Sequence, residues 1–311
     1  MGYKLAGYDV AGGVEIDSAI MNVYRRNHKP RHSYHMGIAE FNALPDNSIP
    51  SELFSLDILD GSPPCSSFSM IGRRERDWGK SRLFREGQAV QVLDDLFGHF
   101  LATVEKLSPR VVIAENVKGL ISGNAKGYVA EICQTFRRLG YSVQIFLLDS
   151  SHMGCVQRRQ RVFFVASKTE KQLSLKFSEK HRGLHAAIAD VRPENPRLLG
   201  KLQGAYWAKA KPGQTFAVSK KQTVRDRFRG HPLHTVPTLT TCDRLFHWSQ
   251  PRFLQGLEIN RVQTFPDDFD FCGQNRTYIC GMSVPPYMMQ RVAREVQRQI
   301  LDPVLGTEWV D

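Results

Sequence analysis

Apolar residues in this chain fall into short runs that alternate with stretches of helical spacing. Val92, Leu93, Leu96, Phe100, Leu101 and Val104 recur at helical intervals and predict a helix over 89–106. The run Val111-Val112-Ile113-Ala114 after Pro109 predicts a buried strand. A helix over 128–139, a strand over 141–148 and the strand Val162-Phe163-Phe164-Val165 follow. Nearer the N-terminus, residues 3–9 read as the end of a helix and 10–17 as a short strand. Ser18 reads as the N-cap of a helix over 19–27. Residues 37–49 suggest a short strand and loop, and Leu53 to Leu59 a strand. This alternation predicts an α/β fold, with a parallel sheet covered by helices on both faces.

From 167 to about 255 the alternation lapses into a polar, basic stretch rich in Pro and Gly. That composition predicts a small, irregular, mainly β module inserted into the first domain. Residues 256–311 return to it, with a helix over 257–265, a turn at 266–269 and a terminal helix opening near Pro286. The expected domains are 1–166, 167–255 and 256–311.

Side chains that can do chemistry collect where predicted strands end. Cys65 follows Ser62-Pro63-Pro64 and precedes Ser66-Ser67-Phe68-Ser69. Proline fixes its own φ and restricts its neighbour, so the thiol sits on a stiffened loop. In open α/β sheets ligands bind at that carboxyl edge. The thiol is either a nucleophile, if its surroundings favour the thiolate, or a buried structural cysteine. Glu15, with Ile16 beside it, ends the early strand; it suits a ribose acceptor next to an adenine-packing side chain, or a solvated acid. Glu115 delivers a second carboxylate to the same edge, and Arg159 and Arg161 precede the strand at 162.

Charge sharpens the picture. Lys and Arg number 42 against 31 Asp and Glu, a net charge of +11, which points to a polyanionic partner, foremost nucleic acid, or to a merely basic soluble protein. Arg73, Arg74, Arg76, Lys80, Arg82 and Arg85 lie between Gly72 and Gly87, a stretch that either meets phosphates or is a solvated charge run. In the module, aromatics such as Trp207, Phe228 and Trp248 interleave with Lys209, Arg227 and Arg229, as stacking on nucleic acid or as core beside a basic face. Six scattered cysteines without a Cys-x-x-Cys pair argue against zinc and disulfides, so no metal is expected. No apolar run is long enough to span a bilayer, and a reducing cytoplasmic setting is the default expectation.

In chain order, Pro64-Cys65-Ser66-Ser67-Phe68-Ser69, Glu115-Asn116-Val117, Gln157-x-Arg159-x-Arg161, Glu258-x-x-Arg261-x-Gln263-x-Phe265-Pro266 and Gly281-x-Ser283-Val284-Pro285-Pro286 resemble the motifs of the DNA (cytosine-5)-methyltransferases. The resemblance spans roughly residues 10–300. It implies a Rossmann-like sheet that binds S-adenosyl-L-methionine, and a target-recognition module in which Thr238-Leu239 resembles the family's Thr-Leu signature. By resemblance, Cys65 adds to carbon 6 of a flipped cytosine. Glu115 holds N3 and the exocyclic amine, Arg161 the base O2, and Arg159 anchors that shell. The cofactor falls to Glu15, Ile16, Pro63, Ser283 and Val284. Duplex DNA falls to Ser69, Arg73, Arg74, Lys80, Gln157, Thr238 and Leu239.

The sequence departs from the family's pattern in places. Its first motif, a strand with a Phe-x-Gly-x-Gly turn, is absent, Gly37 stands where an adenine-binding Asp is expected, and Met282 and Leu257 replace the usual Asn and Arg. The first motif is encoded upstream, supplied by a second polypeptide, or lost in a noncatalytic DNA-binding copy. A tRNA cytosine methyltransferase of the same family is the rival enzyme.

Overall fold

The computed structural model describes residues 1–63, 81–82, 91–92, 96–122, 126–216, 227–242 and 244–302. Cys65, Ser69, Arg73, Arg74 and Lys80 lie outside the described residues. The chain forms two compact units. One comprises Met1–Asp9, Asp149–Arg159 and Lys176–Ala293; the other comprises Val10–Leu148, Gln160–Leu175 and Arg294–Asp311.

The second unit carries a four-stranded sheet in the order Ile58–Gly61, Val111–Val117, Gln160–Ser167, Ser142–Asp149. Its first two strands are parallel, with Gly61 opposite Ala114. Gln160–Ser167 runs antiparallel to Val111–Val117. The sheet is therefore mixed, not parallel throughout as the sequence suggested. Val111 to Ala114 are fully buried, and helices Leu96–Leu107 and Lys126–Arg138 pack Phe97, Phe100, Ile132 and Phe136 into one core with Val112 and Ala114. Such continuous apolar strands are what a covered sheet requires.

Two early segments fold differently from expectation. Residues 37–49 form the helix Ile38–Ala43 and a 3-10 turn, and the strand lies earlier, at His32–Tyr34. The run Leu53–Leu59 opens as the 3-10 turn Ser51–Ser55; only Ile58–Gly61 is extended. Leu53 turns inward onto a cluster with Phe41, Ile49 and Leu107, on which Val14 and Leu59 also pack. Among the described residues, Gly12–Val14 pairs in parallel with His32–Tyr34 as a sheet of its own, separate from the four-stranded one.

In the first unit, a three-stranded sheet (Thr215–Phe216, Arg227–Arg229, Leu245–Phe246) and helix Lys201–Lys209 enclose Trp207, Phe216, Phe246 and Phe253. Arg229 lies 3.7 Å over the Trp207 ring and donates to the carbonyls of Trp207, Ala210 and Trp248. It thus serves as a structural cation inside the module. Helix Leu257–Gln263 belongs to this unit as well. Its Glu258, fully buried, makes a two-pronged ion pair with Arg252, both contacts at 2.7 Å. The N-terminal residues join the same unit through Tyr8, whose hydroxyl donates to the Ala293 carbonyl at 3.1 Å, and through Gln290, which donates to the Leu5 carbonyl. No helix among the described residues is long and apolar enough to cross a membrane.

Candidate active site

The buried strand Val111–Val117 ends by placing Glu115 and Asn116 at the carboxyl edge of the sheet. Because Gln160–Ser167 pairs with it antiparallel, Val117 lies opposite Arg161, and the Arg161 side chain returns to Glu115. Arg161 Nε stands 2.8 Å from Glu115 Oε1, with both side chains largely buried. Burial pulls the Arg161 guanidinium below its ordinary value while Glu115 opposes the shift. One acid and one guanidinium thus form a desolvated pair that can present an acceptor and donors to a polar ring edge.

Asn116 contributes what the sequence reading missed. Its Nδ2 donates to the Pro63 carbonyl at 3.0 Å, and its Oδ1 accepts the Val117 N–H at 2.9 Å. The buried amide therefore ties the segment leaving Ile58–Gly61 to the strand end that carries Glu115. The adjacency of Asn116 to Glu115 in the sequence was the available signal. Pro63 is buried and held by this bond.

At the other candidate position, Glu15 accepts the Asp17 N–H at 2.7 Å, and burial, the largest influence, raises its carboxyl pKa. Asp17, not Ser18, caps helix Ser18–His28, accepting from Ala19 and Ile20. A side-chain oxygen was needed there, and the residue one step earlier provides it. Ile16 is half-buried, and a Cβ added at Gly37 would lie 3.7 Å from its Cδ1. Glu40, which the sequence did not single out, accepts the Gly37 N–H at 3.3 Å.

The first unit holds the remaining candidates. Gln157 is fully buried: its amide donates to the Val262 carbonyl and to Gln263, and accepts the Leu239 N–H. Leu239 is buried too. Both side chains thus pack inside this unit, with the polar groups of Gln157 hydrogen-bonded. Arg159, also buried, donates to the Leu239 carbonyl and to the Gly281 carbonyl, each at 2.9 Å. These two bonds tie its guanidinium to the backbone of two segments of this unit. Thr238 donates to the Arg158 carbonyl at 2.7 Å, continuing the pairing of Val236–Pro237 with Gln157–Arg158. Ser283 donates its hydroxyl to the Ile279 carbonyl, and its own carbonyl accepts from Gln263. Val284 is half-buried beside it. Among the described residues no group of three or more His, Cys, Asp or Glu could hold a metal ion.

Residues 1–298 match the family described as C-5 cytosine-specific DNA methylase. The type II methyltransferase M.FnuDI of Fusobacterium nucleatum is 29% identical, over 97% of this chain and 92% of that protein. M1.HphI of Haemophilus parahaemolyticus is 26% identical, over 95% of this chain and 82% of its own length. Among solved structures, an E. coli prophage-encoded protein described as a DNA modification methyltransferase superposes with a TM-score of 0.75 at 19% identity, covering 96% of this chain and 95% of that one. A Dnmt2 methyltransferase of S. pombe superposes with a TM-score of 0.65 at 14% identity, covering 98% of this chain and 95% of its own. The chain belongs to the C-5 cytosine-specific DNA methylase family.

Proposed function

We propose that this chain is a DNA (cytosine-5-)-methyltransferase, transferring a methyl group from S-adenosyl-L-methionine to carbon 5 of cytosine in a specific duplex sequence. The observation that carries the reading is the Glu115–Arg161 pair beside Asn116, which holds Pro63 two residues before Cys65. The covalent chain allows at most ~7 Å between the Cα atoms of Pro63 and Cys65. A cytosine extruded from the duplex would meet one acid, one guanidinium and one thiol.

In this reading the Cys65 thiolate forms a bond to carbon 6, and the electron pair of the 5,6 double bond passes into the ring. Glu115 favours protonation at N3, and Arg161 donates to O2. Carbon 5 thereby becomes nucleophilic. The bound cofactor supplies an electrophilic methyl on its sulfonium. Loss of the carbon 5 proton then expels the cysteine sulfur and restores the ring.

The residues at the cofactor position fit its adenosine. Glu15 is desolvated, with its pKa raised by burial, and ribose hydroxyls would replace the hydrogen bonds it has lost. Ile16 offers an apolar face beside a position that has no Cβ. A second polypeptide supplying the first motif remains among the proposed partners; the separate sheet of Gly12–Val14 and His32–Tyr34 supports an additional strand in this unit. Calorimetry with S-adenosylmethionine on this chain, alone and with an added strand-plus-glycine-turn segment, tests that partner. Equal tight binding in both would dismiss it.

The enzyme reading is tested with duplex DNA carrying 5-fluorocytosine, in which loss of the group on carbon 5 is blocked. A covalent complex that disappears in Cys65→Ala is expected. No complex with duplex DNA, together with methyl transfer to tRNA, would favour the RNA enzyme.

A further inference from the structure

Arg261, Phe265 and Pro266 stand out in the sequence, yet the chemistry above does not use them. In the first unit they form, with Thr264 and Asp267, one side of a cavity of about 410 Å³. Other stretches of the same unit complete it: Leu5, the loop at Gly154 and Val156, the segment from Arg182 to Ala187, and Tyr287. That volume falls within the range of ordinary small-molecule sites.

The apolar wall is preformed. Phe265 is buried and packs on Phe269 and Phe271, with ring centroids 4.5 and 5.9 Å away. Leu5, Val156 and Ala187 add aliphatic surface. Thr264 ends helix Leu257–Gln263 at a φ of 65°, an unusual conformation for a β-branched residue, and its hydroxyl accepts the Tyr287 N–H at 3.0 Å. Tyr287 is thereby tied to the helix end that forms the wall.

The charges around the cavity do not balance. Arg261 is engaged by Asp190 and Asp267, each at 2.6 Å. Those contacts hold both carboxyls below their ordinary range, so neither acid is left to offset another cation. Arg182 is exposed and, among the described residues, has no hydrogen-bond or ion-pair partner. The Tyr287 hydroxyl makes no hydrogen bond among them either. An apolar wall beside one unmatched guanidinium and one free hydroxyl donor suits an apolar body carrying a single negative charge.

We propose that this cavity binds a small aromatic acid, whose ring packs on the Phe265 wall and whose anionic group meets Arg182 and Tyr287. The site is independent of the methyltransferase reading, since none of these side chains takes part in that chemistry.

The test is fluorescence titration of the full chain with anilinonaphthalenesulfonate and with neutral N-phenylnaphthylamine, the same ring system without its sulfonate. The native protein should show a saturable sulfonate site with a Kd on the order of tens of micromolar, as expected for a ligand of about twenty non-hydrogen atoms. The neutral probe should bind about tenfold more weakly. Arg182→Glu should weaken sulfonate binding about tenfold or more and leave the neutral probe unaffected. Ala187→Trp fills the cavity and should remove the site for both probes. Circular dichroism checks folding; should Ala187→Trp misfold, the exposed Arg182→Glu variant decides alone. Sulfonate binding unchanged in the folded variants, a neutral probe bound as tightly as the sulfonate, or no saturable site at all would overturn the inference.

Discussion

Replacing Arg159 with methionine removes a buried guanidinium that donates to the carbonyls of Leu239 and Gly281 at 2.9 Å each. Hydrogen bonds from a charged donor contribute about 1.5–3 kcal/mol apiece, so their loss costs about 3–6 kcal/mol. Removing the cation also relieves its own burial penalty, which lowers the expected net loss to about 3–4 kcal/mol. Arg159→Lys keeps the charge but reaches one carbonyl, and should lose about half as much. Urea unfolding followed by tryptophan fluorescence measures this, because Trp207 and Trp248 both belong to the unit that Arg159 anchors. Methyl transfer should fall in proportion to the folded fraction. Stability within about 0.5 kcal/mol of native, together with abolished activity, would refute the anchoring argument and put Arg159 on the substrate instead.

Asn116→Ala should leave the Pro63 carbonyl without its 3.0 Å donor and cut kcat about tenfold or more while leaving DNA affinity nearly unchanged; an unaltered kcat would refute it. Glu258→Ala should strand the buried Arg252 cation and cost about 3–5 kcal/mol in urea unfolding, whereas Arg252→Met with Glu258→Leu should regain most of it. A loss under about 1 kcal/mol in the single variant would count against the pair. Burial, then the charges of Arg252 and Arg192, push the His247 imidazole down to about 4. The unfolded chain therefore takes up a proton that the fold resists, and stability should fall by about 3 kcal/mol as pH drops from about 6.5 towards 4. His247→Gln should flatten that slope, measured as urea midpoints against pH, and an unchanged slope would contradict it.

The strand ends were legible because apolar runs change abruptly to acids there, as at Ala114-Glu115 and Val14-Glu15. The direction of Gln160–Ser167 was not, since parallel and antiparallel buried strands share one apolar pattern. Leu53–Leu59 misled for a related reason: a continuous apolar run fits a strand or a buried turn equally well, and contact with Phe41 and Leu107 decided it. Gln157 is the sharpest case. A polar side chain in a motif suggests a ligand, yet its partners Val262 and Gln263 lie more than a hundred residues away in the chain. Only folding brings them together.

The grip on Leu239 has a wider consequence. Gln157 and Arg159 hold this residue by its N–H and carbonyl, and Gly281 packs against the Thr240–Thr241 backbone, where a Cβ would come within 2.3 Å. Main-chain atoms are the same whatever side chains they carry. Changes confined to exposed side chains around this stretch should therefore leave the hold on its backbone intact.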